Sequence, residues 1–239
     1  MKKVIKVRNL SKNFGNGSNI TKVLKEISFD VDQGQFVSIM GPSGCGKSTL
    51  LYLLGGLDAP TSGQIFIKDK DIQSLKDKEL SKIRRSDIGF VFQFYNLVHN
   101  LSVEENVLLP IAMSGQNVKD YNEKLDEILE IVGLSDKRKE IPSRLSGGQQ
   151  QRVAIARAII INPSIILADE PIGNLDSKSS KTIMELFKKV NKNYGITIIQ
   201  VTHDESMTLY GDRLIRLRDG VIVEDKMREV FSYEYAESK

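Results

Sequence analysis

The sequence predicts an α/β fold, with a core of mostly parallel strands, an antiparallel β part at its N-terminal end and a helical subdomain inserted midway. Three observations carry this. Short, mainly apolar runs recur at 36–40, 165–169 and 197–203, bounded by glycine or polar residues, as strands buried on both faces require. The first thirty-odd residues instead alternate, Val4-Ile5-Lys6-Val7 and then Val23 to Val31 with Ile27 and Phe29 inward. They flank a Gly/Asn stretch from Gly15 to Asn19 and read as two antiparallel strands and a loop. From 94 to 161 the apolar spacing becomes helical.

Taken in order, the strand Phe36 to Met40 stops at a glycine-rich turn, and Lys47 to Leu54 follows as a helix closed by Gly55-Gly56. Asp87 to Gln93 is a further strand. Ser102 with Glu105 forms a capping-box pattern, and Val118, Tyr121, Leu125, Ile128, Leu129 and Val132 lie at helical spacing before Gly133. The core resumes with Ile165 to Asp169 and Thr197 to His203, separated by a helix bearing Ile183, Leu186, Phe187 and Val190. A hairpin from Leu214 to Val223 turns at Asp219-Gly220 and leads into a polar tail. There is no internal repeat. The chain reads as one domain, 1–239, with an α/β core from 1–93 and 162–239 and the helical subdomain at 94–161.

At 239 residues and 40% hydrophobic content, the chain can bury such a core. Its 34 basic and 31 acidic residues leave a net charge of +3, which gives no extended positive field, and nucleic acid is not expected as a partner. The basic runs at 82–85 and 137–139 are flanked by acids and read as solvated faces. Cys45 stands alone, so no internal disulfide can form. The N-terminal apolar run is too short for a secretion signal, and no stretch approaches the roughly 20 residues that cross a bilayer. The expectation is a cytoplasmic protein that meets a membrane only through a partner.

The segment Gly41-Pro42-Ser43-Gly44-Cys45-Gly46-Lys47-Ser48-Thr49 fits a phosphate-binding loop. Its glycines let backbone N–H groups wrap phosphates, the helix start adds positive potential, Lys47 reaches the β- and γ-phosphates and Ser48 serves Mg²⁺. Asp169 and Glu170 end a strand that is otherwise apolar. Adjacent acids there are commonly a turn or cap, but beside a phosphate loop they divide two tasks, because successive strand side chains face opposite ways. One holds the Mg²⁺ shell, and the other faces the attacking water as general base. His203 is placed at the end of the next strand, where it can contact the same γ-phosphate. Ligands of parallel sheets bind at the carboxyl ends of the strands. A second anion-suited helix start, Leu145-Ser146-Gly147-Gly148-Gln149, leads into a helix whose small residues Ala154, Ala156 and Ala158 suit close packing. It implies either two ligands or one ligand shared between two chains.

With these motifs together, the chain resembles the nucleotide-binding subunits of ABC transporters over nearly its whole length. The resemblance implies ATP and Mg²⁺ as ligands, Gly41 to Thr49 as the phosphate loop, and Asp169, Ser48 and Gln93 around the metal. Glu170 becomes the catalytic base, with Gln93, Lys47 and His203 beside it. Gly173-Asn174-Leu175-Asp176 is similar to a loop that relatives place at their dimer contact, and Phe14 falls where they stack an aromatic ring on adenine. It also implies a head-to-tail dimer of identical chains, with Ser146, Gly148 and Gln149 acting in trans, and a separate integral membrane permease at the inner face of the cell membrane. The segment Phe94 to Met113, with Phe94, Tyr95, Leu97 and Val98 reading as exposed, is where relatives receive that permease, although these residues equally suit a subdomain core. The runs Gly55 to Asp58 and Pro60 to Gly63, together with Gly173 to Ser177, are most similar to the macrolide-export, lipoprotein-release and antimicrobial-peptide-resistance group. The alternative is a non-transport ABC ATPase, a cell-division regulator or iron-sulfur assembly factor. Ile172 stands where relatives carry Thr. It reads as a tolerated exchange on a loop or as a change to the dimer contact. Cys45, beside Lys47 at a helix start, is either a reactive thiolate that ATP protects from alkylation or an inert small side chain.

Overall fold

The computed structural model describes residues 2–228 apart from Asn16 and Ser18, so the polar tail expected after the last hairpin lies outside the described residues. Two sheets build the molecule. The smaller is antiparallel, with order β2-β1-β4-β5: β1 (Lys3–Phe14), β2 (Thr21–Asp32), β4 (Ser62–Ile67) and β5 (Lys70–Asp71). The larger runs β10-β9-β3-β8-β7-β6 and comprises β3 (Phe36–Met40), β6 (Ile88–Phe92), β7 (Ile165–Asp169), β8 (Thr197–Thr202), β9 (Arg213–Arg218) and β10 (Val221–Met227). Within it β9, β3, β8, β7 and β6 are parallel, and only β10 pairs antiparallel.

Alternation along the parallel strands explains why they are apolar throughout. Ile165 and Leu167 face one core and Ile166 and Ala168 the other; Phe36 faces opposite to Val37 and Ile39. One core lies between the two sheets and encloses α1 (Lys47–Leu54). The other is covered by α3 (Val103–Met113), α4 (Asn122–Ile131), α5 (Gly147–Ile159) and α6 (Ser177–Tyr194). The small residues of α5 allow it to close on β6: a methyl group added at Gly89 would lie 2.7 Å from the Ala158 carbonyl oxygen. Among the described residues no helix is long and apolar enough to cross a membrane.

Several expectations are met and several shift. The capping box at Ser102 and Glu105 starts α3, and the helical spacing ahead of Gly133 is divided between a short 3-10 turn at Val118–Tyr121 and α4. Strands β4 and β5 and helix α2 (Asp77–Ser86) were not anticipated, because Ser62–Ile67 is too short and mixed to show a clear period. The strand read as 197–203 ends at Thr202, which leaves His203 one residue beyond the sheet. Of the residues read as exposed after Gln93, Phe94 is 73% exposed and Val98 is exposed, but Leu97 is buried and Tyr95 packs against the core. The basic runs are more than solvated faces. Ile83 is buried, Arg84 donates to the Gly56 carbonyl at 2.7 Å, and Arg138 and Lys139 pair with Glu104.

Candidate active site

Four neighbouring strand ends meet at the site. In the sheet order β3-β8-β7-β6, Met40 stands opposite Thr202, Val201 opposite Asp169 and Asp169 opposite Phe92. The residues that follow these positions are the phosphate loop, His203, Glu170 and Gln93. Parallel pairing therefore brings together groups as far apart in the chain as Gly41 and His203, on the edge where such sheets bind ligands.

The loop from Gly41 to Gly46 is shaped by glycine. A Cβ on Gly41 would lie 2.1 Å from the Leu217 carbonyl oxygen, and Gly46 enters α1 at φ +101°, a conformation that side-chain-bearing residues avoid. Pro42, Ser43 and Gly44 are exposed, and Thr49 sits half-buried in the first turn of α1. The Lys47 ammonium is folded back into the loop, donating to the carbonyl oxygens of Gly41 at 2.8 Å and Pro42 at 3.1 Å and lying 3.9 Å from Glu170 Oε1.

Asp169 and Glu170 have different partners, but strand alternation is not the cause: β7 ends at Asp169, and Glu170 follows it on a left-handed backbone. Ser48 Oγ donates to Asp169 Oδ1 at 2.8 Å, and the Tyr52 hydroxyl donates to Oδ2 at 2.6 Å. Burial together with Asp169 pushes the Tyr52 phenol up to about 12, so it remains a donor at any ordinary pH. Glu170 is held at φ +45°, a left-handed backbone that costs a non-glycine residue about 1–3 kcal/mol and is characteristic of functional sites. Its Oε2 accepts a hydrogen bond from His203 Nδ1 at 2.9 Å, and the imidazole is otherwise open to solvent.

The cation expected here needs hard oxygen donors. Ser48 and Asp169 offer hydroxyl and carboxylate oxygens 2.8 Å apart. Among the described residues no group of three His, Cys, Asp or Glu could hold a metal by itself. The donor set fits Mg²⁺ completed by phosphate oxygens and water. Gln93, assigned to the same cation, is turned elsewhere. Its Nε2 donates to Asn174 Oδ1 at 3.3 Å, and Asn174 Nδ2 donates back to the Gln93 carbonyl at 3.2 Å. Gly173 makes room for this pairing, since a Cβ there would lie 2.8 Å from Gln93 Nε2.

Phe14 ends β1 with its ring 45% exposed, and the Lys12 ammonium lies 4.8 Å above it. Strand β2, whose Thr21 pairs with Phe14, also supplies Val23 and Leu24 against Gly46, which ties the ring to the loop. Ser146 caps α5: its Oγ accepts from the Gln149 N–H at 3.3 Å, and Gln149 Oε1 accepts from the Ser146 N–H at 2.8 Å. Gly148 packs on Ser179 at the start of α6, with room for no more than a tight methyl contact.

Two readings change. Cys45 is only 6% exposed, and burial pushes its thiol up despite the opposing pull of Lys47, which favours the inert small side chain over the reactive thiolate. Ile172 follows β7 on a turn but is buried in the helix-covered core, which explains an apolar residue there.

Three residues escaped sequence reasoning. Tyr52 lies four positions after Ser48, hence on the same helix face, and that spacing was a usable signal. Gln151, fully buried, donates to the Pro171 carbonyl at 2.5 Å and the Phe92 carbonyl at 3.4 Å, joining α5 to the ends of β7 and β6. Arg157 donates to the carbonyls of Tyr95 and Asn96, two successive residues held at positive φ, and so braces the segment after Gln93. For these two the sequence carries no signal beyond a polar residue on an apolar helix.

Comparison with known proteins leads to the same chemistry. The family model for ABC transporters matches residues 24–173. The lipoprotein-releasing system ATP-binding protein LolD of Cytophaga hutchinsonii is 43% identical over 223 residues, covering 93% of this chain and all of that protein. The macrolide export ATP-binding/permease protein MacB of Bdellovibrio bacteriovorus is 45% identical over 93% of this chain, and the match spans 34% of that longer protein. Among solved structures, the ATP-binding cassette MJ0796, in a dimeric post-hydrolysis state bound to ADP and Pi, has a TM-score of 0.86 and 43% identity, covering 95% of this chain and 100% of that one. Phosphate loop, paired acids, strand-end histidine and capped second helix start thus occur together on a fold shared with these proteins: the chain belongs to the ABC transporter family, as an ATP-binding and ATP-hydrolysing cassette.

Proposed function

We propose that this cassette works as a head-to-tail pair with a second copy of itself and drives a separate integral membrane permease from the cytoplasmic face of the cell membrane. We read the system as an exporter or mechanical coupler for lipoproteins, macrolides or antimicrobial peptides. The observation that carries the catalytic part is the convergence of Lys47, the Ser48–Asp169 pair and the Glu170–His203 pair on adjacent strand ends. The names of the LolD and MacB relatives support the export reading. The name of the MacB relative pairs ATP binding with a permease, which supports a membrane permease as the partner.

In this reading the N–H groups of Gly41 to Thr49 and the Lys47 ammonium bind the ATP phosphates, and Phe14 stacks on the base. Lys47 exchanges its two loop carbonyls for phosphate oxygens, so it is already aimed at the site. Ser48 and Asp169 would hold Mg²⁺, which would neutralise phosphate charge when bound, and Gln93 would have to leave Asn174 to join them. Glu170 takes a proton from water as the water oxygen bonds to the γ-phosphorus. The bond between that phosphorus and the bridging oxygen breaks, leaving ADP and phosphate. His203 orients the Glu170 carboxylate and senses the phosphate. Ser146, Gly148 and Gln149 reach the nucleotide of the partner copy, carried on the helical subdomain we assign to 94–161.

A groove of about 330 Å³ beside that segment supports permease docking. Phe90, Phe92 and Met113 line it together with Arg84 and Arg85, and no acid contributes to its walls.

The test is the oligomeric state of the Glu170→Gln variant by light scattering, with and without Mg·ATP. Removing the base should trap the closed pair, so ATP-dependent doubling of mass is expected. Failure to bind ATP at all would overturn the assignment.

A further inference from the structure

Asp169 has both carboxylate oxygens occupied, each by a hydroxyl from the same face of α1. Ser48 takes Oδ1 at 2.8 Å, and Tyr52, one helical turn later, takes Oδ2 at 2.6 Å. Nothing in the hydrolysis scheme uses Tyr52. Its ring packs against the core between the two sheets, so packing positions the phenol, and the hydrogen bond then sets the rotation of the carboxylate.

That rotation has a chemical consequence. A carboxylate free to turn offers a cation one oxygen or both. Ca²⁺ takes about six to eight oxygen ligands at roughly 2.3–2.6 Å and readily accepts both oxygens of one carboxylate. Mg²⁺ demands an octahedron at about 2.0–2.1 Å, and it is met by single oxygens supplemented with phosphate and water. Both oxygens accept a hydroxyl, but Ser48 is itself assigned to the cation, so Oδ1 stays beside it while Tyr52 holds Oδ2 in a fixed rotation.

We propose that Tyr52 is a positioning residue for cation selection: by occupying Oδ2 it makes Asp169 a one-oxygen ligand and favours Mg²⁺ over Ca²⁺. The inference rests on the reading of Ser48 and Asp169 as the cation site, and Tyr52 acts only through Asp169.

Tyr52→Phe keeps the ring and its packing and removes only the hydroxyl. Mg²⁺ and Ca²⁺ are titrated separately by calorimetry into the full chain loaded with ADP, for wild type and variant, with thermal unfolding in the absence of cation as the folding control. The ratio of Mg²⁺ to Ca²⁺ affinity should fall about tenfold in the variant, the change expected on losing one hydrogen bond to a carboxylate. Most of the change should come from tighter Ca²⁺ binding. A folded, ADP-binding variant whose ratio stays within about twofold of wild type overturns the selective role. Tyr52→Met, which also lacks the hydroxyl, gives the same readout should the Phe variant not fold. If Asp169→Asn leaves cation binding to the ADP-loaded chain unchanged, the cation site itself is misassigned, an outcome distinct from an unchanged ratio in Tyr52→Phe.

Discussion

Two helices of this chain begin at glycine-rich, anion-suited turns, and they begin in different ways. Helix α1 is entered through Gly46 at φ +101° and ψ 9°, with no side chain capping it. Helix α5 is entered through Ser146 at φ −64° and ψ 161°, where Ser146 and Gln149 close a reciprocal capping box. A helix start leaves up to four N–H groups without partners in the helix. At α1 no side chain competes for them, whereas at α5 the chain satisfies part of the set itself. The difference teaches that one sequence signal can describe two states of readiness. The α1 start leaves its N–H groups for a ligand, whereas the Ser146 Oγ already accepts from the Gln149 N–H and has only its own hydroxyl hydrogen left to donate. In the proposed pair Ser146 would therefore add one hydrogen bond to the partner's nucleotide, a contact of modest net gain that would need the two chains held together.

The comparison is broken most directly at Lys47. Lys47→Ala should lower ATP hydrolysis about 10²–10³-fold while leaving α5 intact. Phosphate release within tenfold of wild type would mean that the α1 site is not where the charge is stabilised.

Next in size is Gly46→Ala, whose Cβ would meet Leu24 Cδ2 at 2.8 Å on a backbone at φ +101°. We expect a loss of about 1–3 kcal/mol in urea denaturation, together with weaker nucleotide binding. Gly148→Ala, at ordinary helical φ and 3.1 Å from Ser179 Oγ, should cost less. The reverse order would show that α5 is the more constrained start.

Ser146→Ala should cost about 1 kcal/mol through the lost cap. It should leave ATP affinity of the single chain unchanged and weaken ATP-dependent pairing, read by calorimetry and light scattering. Ser146→Thr should keep the cap. A drop in single-chain ATP affinity on Ser146→Ala would place this residue at the chain's own nucleotide instead of the partner's.

The smallest effect is expected at Cys45. Burial raises its thiol, so iodoacetamide near neutral pH should label the unfolded chain and spare the folded one, and fast labelling of native protein would contradict the buried geometry. A thiol raised in the folded state contributes stability that is fully present below its unfolded value. That contribution is lost as pH rises above about 8.5 toward the folded value. Denaturation midpoints of wild type and Cys45→Ser should therefore converge on the alkaline side.

Much of the site was legible because its parts are short-range. The phosphate loop is contiguous, Asp169 and Glu170 are adjacent at the end of one apolar run, and His203 follows another. The remainder depended on contacts between distant segments. Cys45 is buried in the core between the two sheets, and Gln93 is paired with Asn174, 81 positions away. Leu97 is apolar in a stretch where neither burial nor exposure has a period, so only packing distinguished it from Phe94.

The sequence alone determined the apolar strands, the helix starts, the glycines that permit a left-handed turn and the identity of the chemical groups. These follow from local backbone sterics and from the two- and 3.6-residue periods of burial. Tertiary structure alone decided that β3, β8, β7 and β6 stand side by side, that β4 and β5 complete the smaller sheet, and that Tyr52 caps Asp169. Strand order and side-chain partnership are set by packing between segments far apart in the chain, and no local pattern encodes which neighbour a strand end will meet.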